Sequence, residues 1–130
     1  MKLKKIIPII YLFIGTLVLP QVPLAGEKIE VIPLIQTSKG LSGKNFNYPD
    51  GKPELRLLRV EIPAGLKTPI HTHPSPMLIY VTRGKIKHVR GQEINFFKAG
   101  DAFVESNNGG AHYVKNIGKK PAILHVGVVS

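Results

Sequence analysis

Residues 63–84 read PAGLKTPIHTHPSPMLIYVTRG, and the His-Thr-His at the centre of this stretch decides how the rest of the chain is read. On an extended strand successive side chains point to opposite faces, so residues i and i+2 share one face. Two imidazoles side by side, His71 and His73, can then grip one metal ion and leave positions for a third ligand and for solvent. A third imidazole, His112, follows further along, beyond the turn sequence Asn107-Asn108-Gly109-Gly110. The expectation is a small β-barrel whose interior holds a metal ion on these three histidines.

Outward from this stretch the chain is written in short strands. Glu54–Ile62 alternates, with Leu55, Leu57 (with Leu58) and Val60 set against Glu54, Arg56, Arg59 and Glu61. Pro63-Ala64-Gly65 turns the chain into the histidine segment. Strands are expected over 77–82, 85–89, 92–97, 102–104, 112–115 and 122–129, separated by turns at Arg83-Gly84, Arg90-Gly91, Lys98–Asp101, Asn107–Gly110 and Gly118–Pro121. Upstream, Glu27–Ile32 alternates charged with apolar residues and reads as a first strand. The Gly-, Ser- and Asn-rich run over 37–53 reads as a surface loop or as a lid at the barrel mouth. No helical period follows the N-terminal segment, and the pattern is that of an all-β sandwich or barrel.

The chain has 130 residues, enough for one domain and an export segment. Met1-Lys2-Leu3-Lys4-Lys5, an apolar run from Ile6 to Leu19 and small residues at Ala25-Gly26 make residues 1–25 a secretory signal peptide. Its alternative is an uncleaved membrane anchor, for which the run is short. The expected location is the periplasm or the extracellular space. Residues 26–53 form an N-terminal strand and loop, and 54–130 the barrel. With no cysteine, disulfides, thiolate chemistry and lipoprotein attachment are excluded, so the core must hold the domain. The formal charge is +10; without Lys2, Lys4 and Lys5, 15 basic residues face 8 acidic ones, about +7. The basic residues are scattered and lack interleaved aromatic stacking platforms, which argues against nucleic acid and for weak attraction of anionic small molecules.

At this point the residues resemble the cupin family. Gly65, His71, His73 and Gly84 stand at the spacing of its first motif, and Gly100, Gly109, His112 and Asn116 follow its second. The second motif carries one extra residue after Gly100, and Asn107 where proline is usual. The resemblance covers roughly residues 54–129 and implies an all-β, double-stranded β-helix (jelly-roll) barrel. It also implies that His71, His73 and His112 bind one divalent transition metal ion, of iron, zinc, manganese, nickel or copper. The family's fourth ligand, a glutamate, falls on Met77, a soft neutral thioether better suited to packing than to those ions.

Three neutral imidazoles leave a divalent ion its full charge, which favours an anionic ligand or bound hydroxide. Two readings follow from the resemblance. One is a metal-dependent oxygenase or isomerase acting on a small organic acid or phenolic; the other is a non-catalytic module that binds a sugar or metabolite. Other polar residues fit a packing role as their first reading. His88 shares the inward face of Ile86, His125 lies in an apolar strand, Tyr80 and Tyr113 flank the motif strands, and Glu105 counts only if it turns inward. A homodimer paired through an edge strand or through Glu27–Ile32 would hide an open sheet edge.

Overall fold

β-Branched and aromatic residues punctuated by Gly, Pro and Asn fold into seven strands, with no helix among the described residues. The structure is a computed structural model, and residues 29–130 are described. Ile32–Ser130 form one compact unit. The strands are β1 (Leu55–Ile62), β2 (Met77–Arg83), β3 (Lys85–Arg90), β4 (Glu93–Lys98), β5 (Ala102–Glu105), β6 (Tyr113–Asn116) and β7 (Ala122–Val129). They form two antiparallel sheets, ordered β1-β7-β2-β5 and β4-β3-β6. This is the expected jelly roll. The expected signal segment, 1–25, and the start of the expected first strand lie outside the described residues. Residues 29–32 carry no strand, which corrects the expectation for Glu27–Ile32 over its described part.

Alternation places the core between the sheets. On β7, Ala122, Leu124, Val126 and Val128 are buried; on β3, Ile86 and His88 are. Ile79, Val81, Phe103, Leu124 and Val126 from one sheet meet Ile86 and Val114 from the other. Burial of this apolar surface is the main stabilising term.

On β1 the inward face differs from the expected one. Val60 pairs with Leu124 and Ile62 with Ala122, and directly opposed residues share a face. The inward positions of β7 therefore draw Val60 and Ile62 into the core. Leu55 and Leu57 are left outside, 82% and 76% exposed. Two leucines in a row, Leu57 and Leu58, allow either phase, and β7 selects one.

The motif residues hold the turns. Gly84 has φ of 92°, and a Cβ there would lie 2.9 Å from Cα of Ala122. Fully buried Asn116 donates from Nδ2 to the carbonyls of Ile62 (2.8 Å) and Lys120 (2.9 Å) and accepts from the Gly118 amide (2.8 Å). Its side chain thus ties β1 to the turn before β7, with its hydrogen-bonding atoms paired.

The loop over 37–53 is docked rather than free. The Leu41 amide donates to the Val104 carbonyl (2.7 Å), and Asn107 and Asn108 donate from Nδ2 to the carbonyls of Asn47 (3.2 Å) and Asn45 (2.9 Å). It covers the outer side of β5, so Val104 and Ser106 are buried as well as Phe103 and Glu105.

Candidate metal centre

The segment between β1 and β2 is not a continuous strand. It touches the second sheet through two isolated bridges, Lys67 to Lys115 and His71 to His112. At the latter both hydrogen bonds form, His71 N to His112 O and His112 N to His71 O, each 3.0 Å. This one bridge brings the two motifs together. His73, two residues on, shares the face of His71.

The three rings form a cluster, with centroids 4.9 Å apart for His71–His73, 4.7 Å for His71–His112 and 4.9 Å for His73–His112. Their ligand atoms all lie within 4.8 Å of one another. The Nδ1 atoms of His71 and His112 sit 2.8 Å and 3.1 Å from the carbonyl oxygens of Pro69 and Gly110. A carbonyl oxygen can only accept, so each Nδ1 carries the proton and each Nε2 keeps a lone pair. The Nε2 atoms of His73 and His112 are 3.1 Å apart. Two nitrogens bound to one ion at about 2.0–2.1 Å and at right angles lie ~3 Å apart, so the spacing suits a shared cation. The backbone carbonyls fix the tautomers, as outer-shell partners of metal-bound histidines do.

The histidines open onto a cavity of about 100 Å³ whose other walls are mainly apolar, among them Ile79, Phe103, Leu124 and Val126. Met77 lines it too, beside the core. Beneath His112 lies fully buried His88, its ring stacked at 4.6 Å and 27°. His88 Nε2 is 2.6 Å from Glu105 Oε1, and Arg90 NH2 is 2.5 Å from Glu105 Oε2. The His88–Glu105 contact is close but poorly aligned: neither His88 nitrogen nor Glu105 Oε1 has a hydrogen-bond partner of good geometry.

Burial works against charge on two of the histidines. Burial, then the neighbouring His112 and His71, push the pKa of His73 down to about 4. Burial also lowers that of His112, against the opposing pull of the Gly110 carbonyl. For Glu105, burial disfavours the charge, but the contact with His88 and the charges of His88, His112 and Arg90 outweigh it and hold the pKa below the usual carboxylate value.

The three predicted residues are therefore brought together. The expected inward turn of His88 is present, and Glu105 also turns in. His125 alternates with inward Leu124 and Val126 and meets Thr82 on the outer face of its sheet, Oγ1 to Nδ1 3.3 Å. Tyr80 and Tyr113 do not line the cavity. Glu105 shares the face of Phe103, two residues before it, but Val104 and Ser106 are buried as well, so alternation along β5 did not single it out.

Two facing antiparallel sheets with an inward histidine cluster across a single bridge define a jelly roll with a candidate metal site. The chain belongs to the cupin family: residues 58–128 match the cupin domain. Among solved structures it is similar to the cupin domain of Cnp3 from Schizosaccharomyces pombe, 25% identical over 66% of this chain and 64% of that one, with a TM-score of 0.54. It is similar to an RmlC-like cupin from Shewanella frigidimarina, 21% identical over 58% and 66%, TM-score 0.51. A sugar phosphate isomerase of the cupin superfamily from Silicibacter pomeroyi is 22% identical over 58% and 50%, TM-score 0.52. The chain spans less than two thirds of each of these proteins, and the last two likenesses carry the fold alone. No curated protein matches the sequence.

Proposed function

We propose that this chain is an exported cupin that holds one divalent transition metal ion on His71, His73 and His112, and that it oxidises or isomerises a small organic acid or phenolic beside that ion. The observation that carries the reading is the convergence of three imidazoles, two with Nδ1 held by backbone carbonyls, at the wall of a mainly apolar cavity.

Three protein ligands leave coordination positions open, as in catalytic rather than structural sites. A divalent ion there supplies Lewis acidity and an acidified bound water. The chain's own residues do the rest. Burial disfavours protonation of His73 and His112, and Ile79, Phe103, Leu124 and Val126 exclude water and strengthen every charge interaction. The cavity, about 100 Å³, is small. The substrate is a small molecule or presents a small reactive end. Imidazoles cancel none of the ion's charge, which favours an anionic group at that end.

Metal analysis of the purified protein tests this, alongside His71→Ala and His112→Ala. One ion per chain is expected in the parent and well under one in each variant. Full metal in both variants, or none in the parent after loading, overturns the ligand set. Oxygen uptake and product analysis over a panel of small acids and phenols then separates turnover from binding alone, which would make this a non-catalytic module that binds a sugar or metabolite. The mass of the chain recovered outside the cytoplasm checks export, with residues 1–25 expected to be missing.

A further inference from the structure

We infer that Glu105 is the carboxylate ligand of the ion held by His71, His73 and His112, supplied across the sheet from β5 in place of the glutamate that Met77 replaces. This deepens the three-histidine reading and rests on it.

Met77 and Glu105 are direct partners in the β2–β5 pair. Directly opposed residues share a face with Cβ atoms about 4.5–5.5 Å apart, so a carboxylate moved from one to the other still reaches the same region. Among the described residues Glu105 is the only acidic one lining the cavity, and it is 2% exposed. Its two oxygens are treated differently. Oε2 is held by Arg90, whereas Oε1 is buried without an aligned donor. A buried carboxylate oxygen is rarely left unpaired, and one tethered through its other oxygen is placed to serve as a monodentate ligand.

Ligand atoms of His88, Glu105 and His112 lie within 4.8 Å of one another, a second group that shares His112 with the first. His112 cannot serve two ions. Its Nδ1–H is spent on the Gly110 carbonyl, which leaves one lone pair. One ion can therefore draw on both groups through His112, with the Glu105 carboxylate turning toward it to extend the shell. His88, stacked on His112 and touching Oε1, positions the carboxylate. Charge agrees with this reading. Arg90 offsets Glu105, so the ion enters a site of no net charge that offers it one anionic oxygen.

The test measures zinc affinity by chelator competition, and the visible spectrum of the cobalt(II)-loaded protein, for the parent and three variants. Glu105→Gln keeps the shape and a contact for Arg90. It is expected to bind zinc more than about 100-fold more weakly, beyond the 10- to 100-fold typical of a lost outer-shell partner, with an altered cobalt spectrum. A loss within that range with an unchanged spectrum makes Glu105 an outer-shell partner and overturns the inference. Met77→Glu added to Glu105→Gln is expected to restore affinity to within a few fold of the parent. Unchanged affinity and spectrum in Glu105→Gln overturn the inference while leaving the three-histidine site standing. A parent that binds no zinc overturns both. Should Glu105→Gln fail to fold, Met77→Glu alone decides. A shell that already holds Glu105 gains little from a second carboxylate, so a change of less than about threefold supports the assignment, and a gain of tenfold or more overturns it.

Discussion

Folding holds back the protonation of His73. Unfolded, it takes up its proton near pH 6.5; folded and metal-free, it resists protonation down to about 4. Across that interval the unfolded chain binds more protons than the folded one, so stability falls as pH falls. His112, also lowered, adds to the loss in the same direction. Glu105, lowered from 4.5, contributes stability above that value and gives it up as the pH drops further. The urea midpoint of chelator-treated protein is therefore expected to decline steadily from pH 6.5 to 4. In His73→Gln the decline should be shallower over the same range. A flat parent profile would contradict the burial of these imidazoles. The same residues mark what could be read without coordinates. His71 and His73 announce themselves by an i, i+2 spacing, and His112 by its glycine frame. Glu105 does not, because both faces of β5 are covered and local sequence carries no sign of which way its side chain points.

At the scale of elements, the turns were legible and the phases only partly so. Strands β2 to β7 fall close to where Gly, Pro and Asn punctuate the chain, because those residues supply the backbone angles and missing donors that end strands. The phase of β1 was not legible, since adjacent Leu57 and Leu58 fit two registers and the choice belongs to β7. Nor was the docking of the loop over 37–53, which depends on contacts distant in sequence. Gly40 shows why it docks. It is buried, and a Cβ there would fall 2.6 Å from the backbone nitrogen of Ser106. Gly40→Ala must push the loop off the end of β5, at a cost of about 1–3 kcal/mol, the range for overpacking a filled space. For a domain of this size that lowers the melting temperature by several degrees, readable by circular dichroism. No residue of 37–53 lines the cavity, so zinc affinity is expected to stay within a few fold of the parent. A tenfold loss of affinity would instead make this loop part of the site.

Among the described residues two sheets present four lateral edges, and these edges are not equally protected. At β5 the loop over 37–53 donates to the strand through Leu41 and covers its side. The β1 edge has no such cover among the described residues, and residues 29–32, expected to cap an edge as a strand, do not form one. An open edge is a template for pairing, and here it stands beside Leu55 and Leu57, both largely exposed. Two copies joined along β1 by a twofold axis would continue the four-stranded sheet across the interface and place these leucines against their counterparts. Sedimentation velocity is expected to give twice the chain mass for the parent. In Leu55→Lys/Leu57→Lys, like charges would face each other across the axis and only the monomer is expected. Because both side chains already lie in solvent, the doubly substituted chain should keep its melting temperature within a few degrees and bind zinc as the parent does. A parent that sediments as a monomer, or a variant that stays dimeric, would remove β1 as the meeting surface.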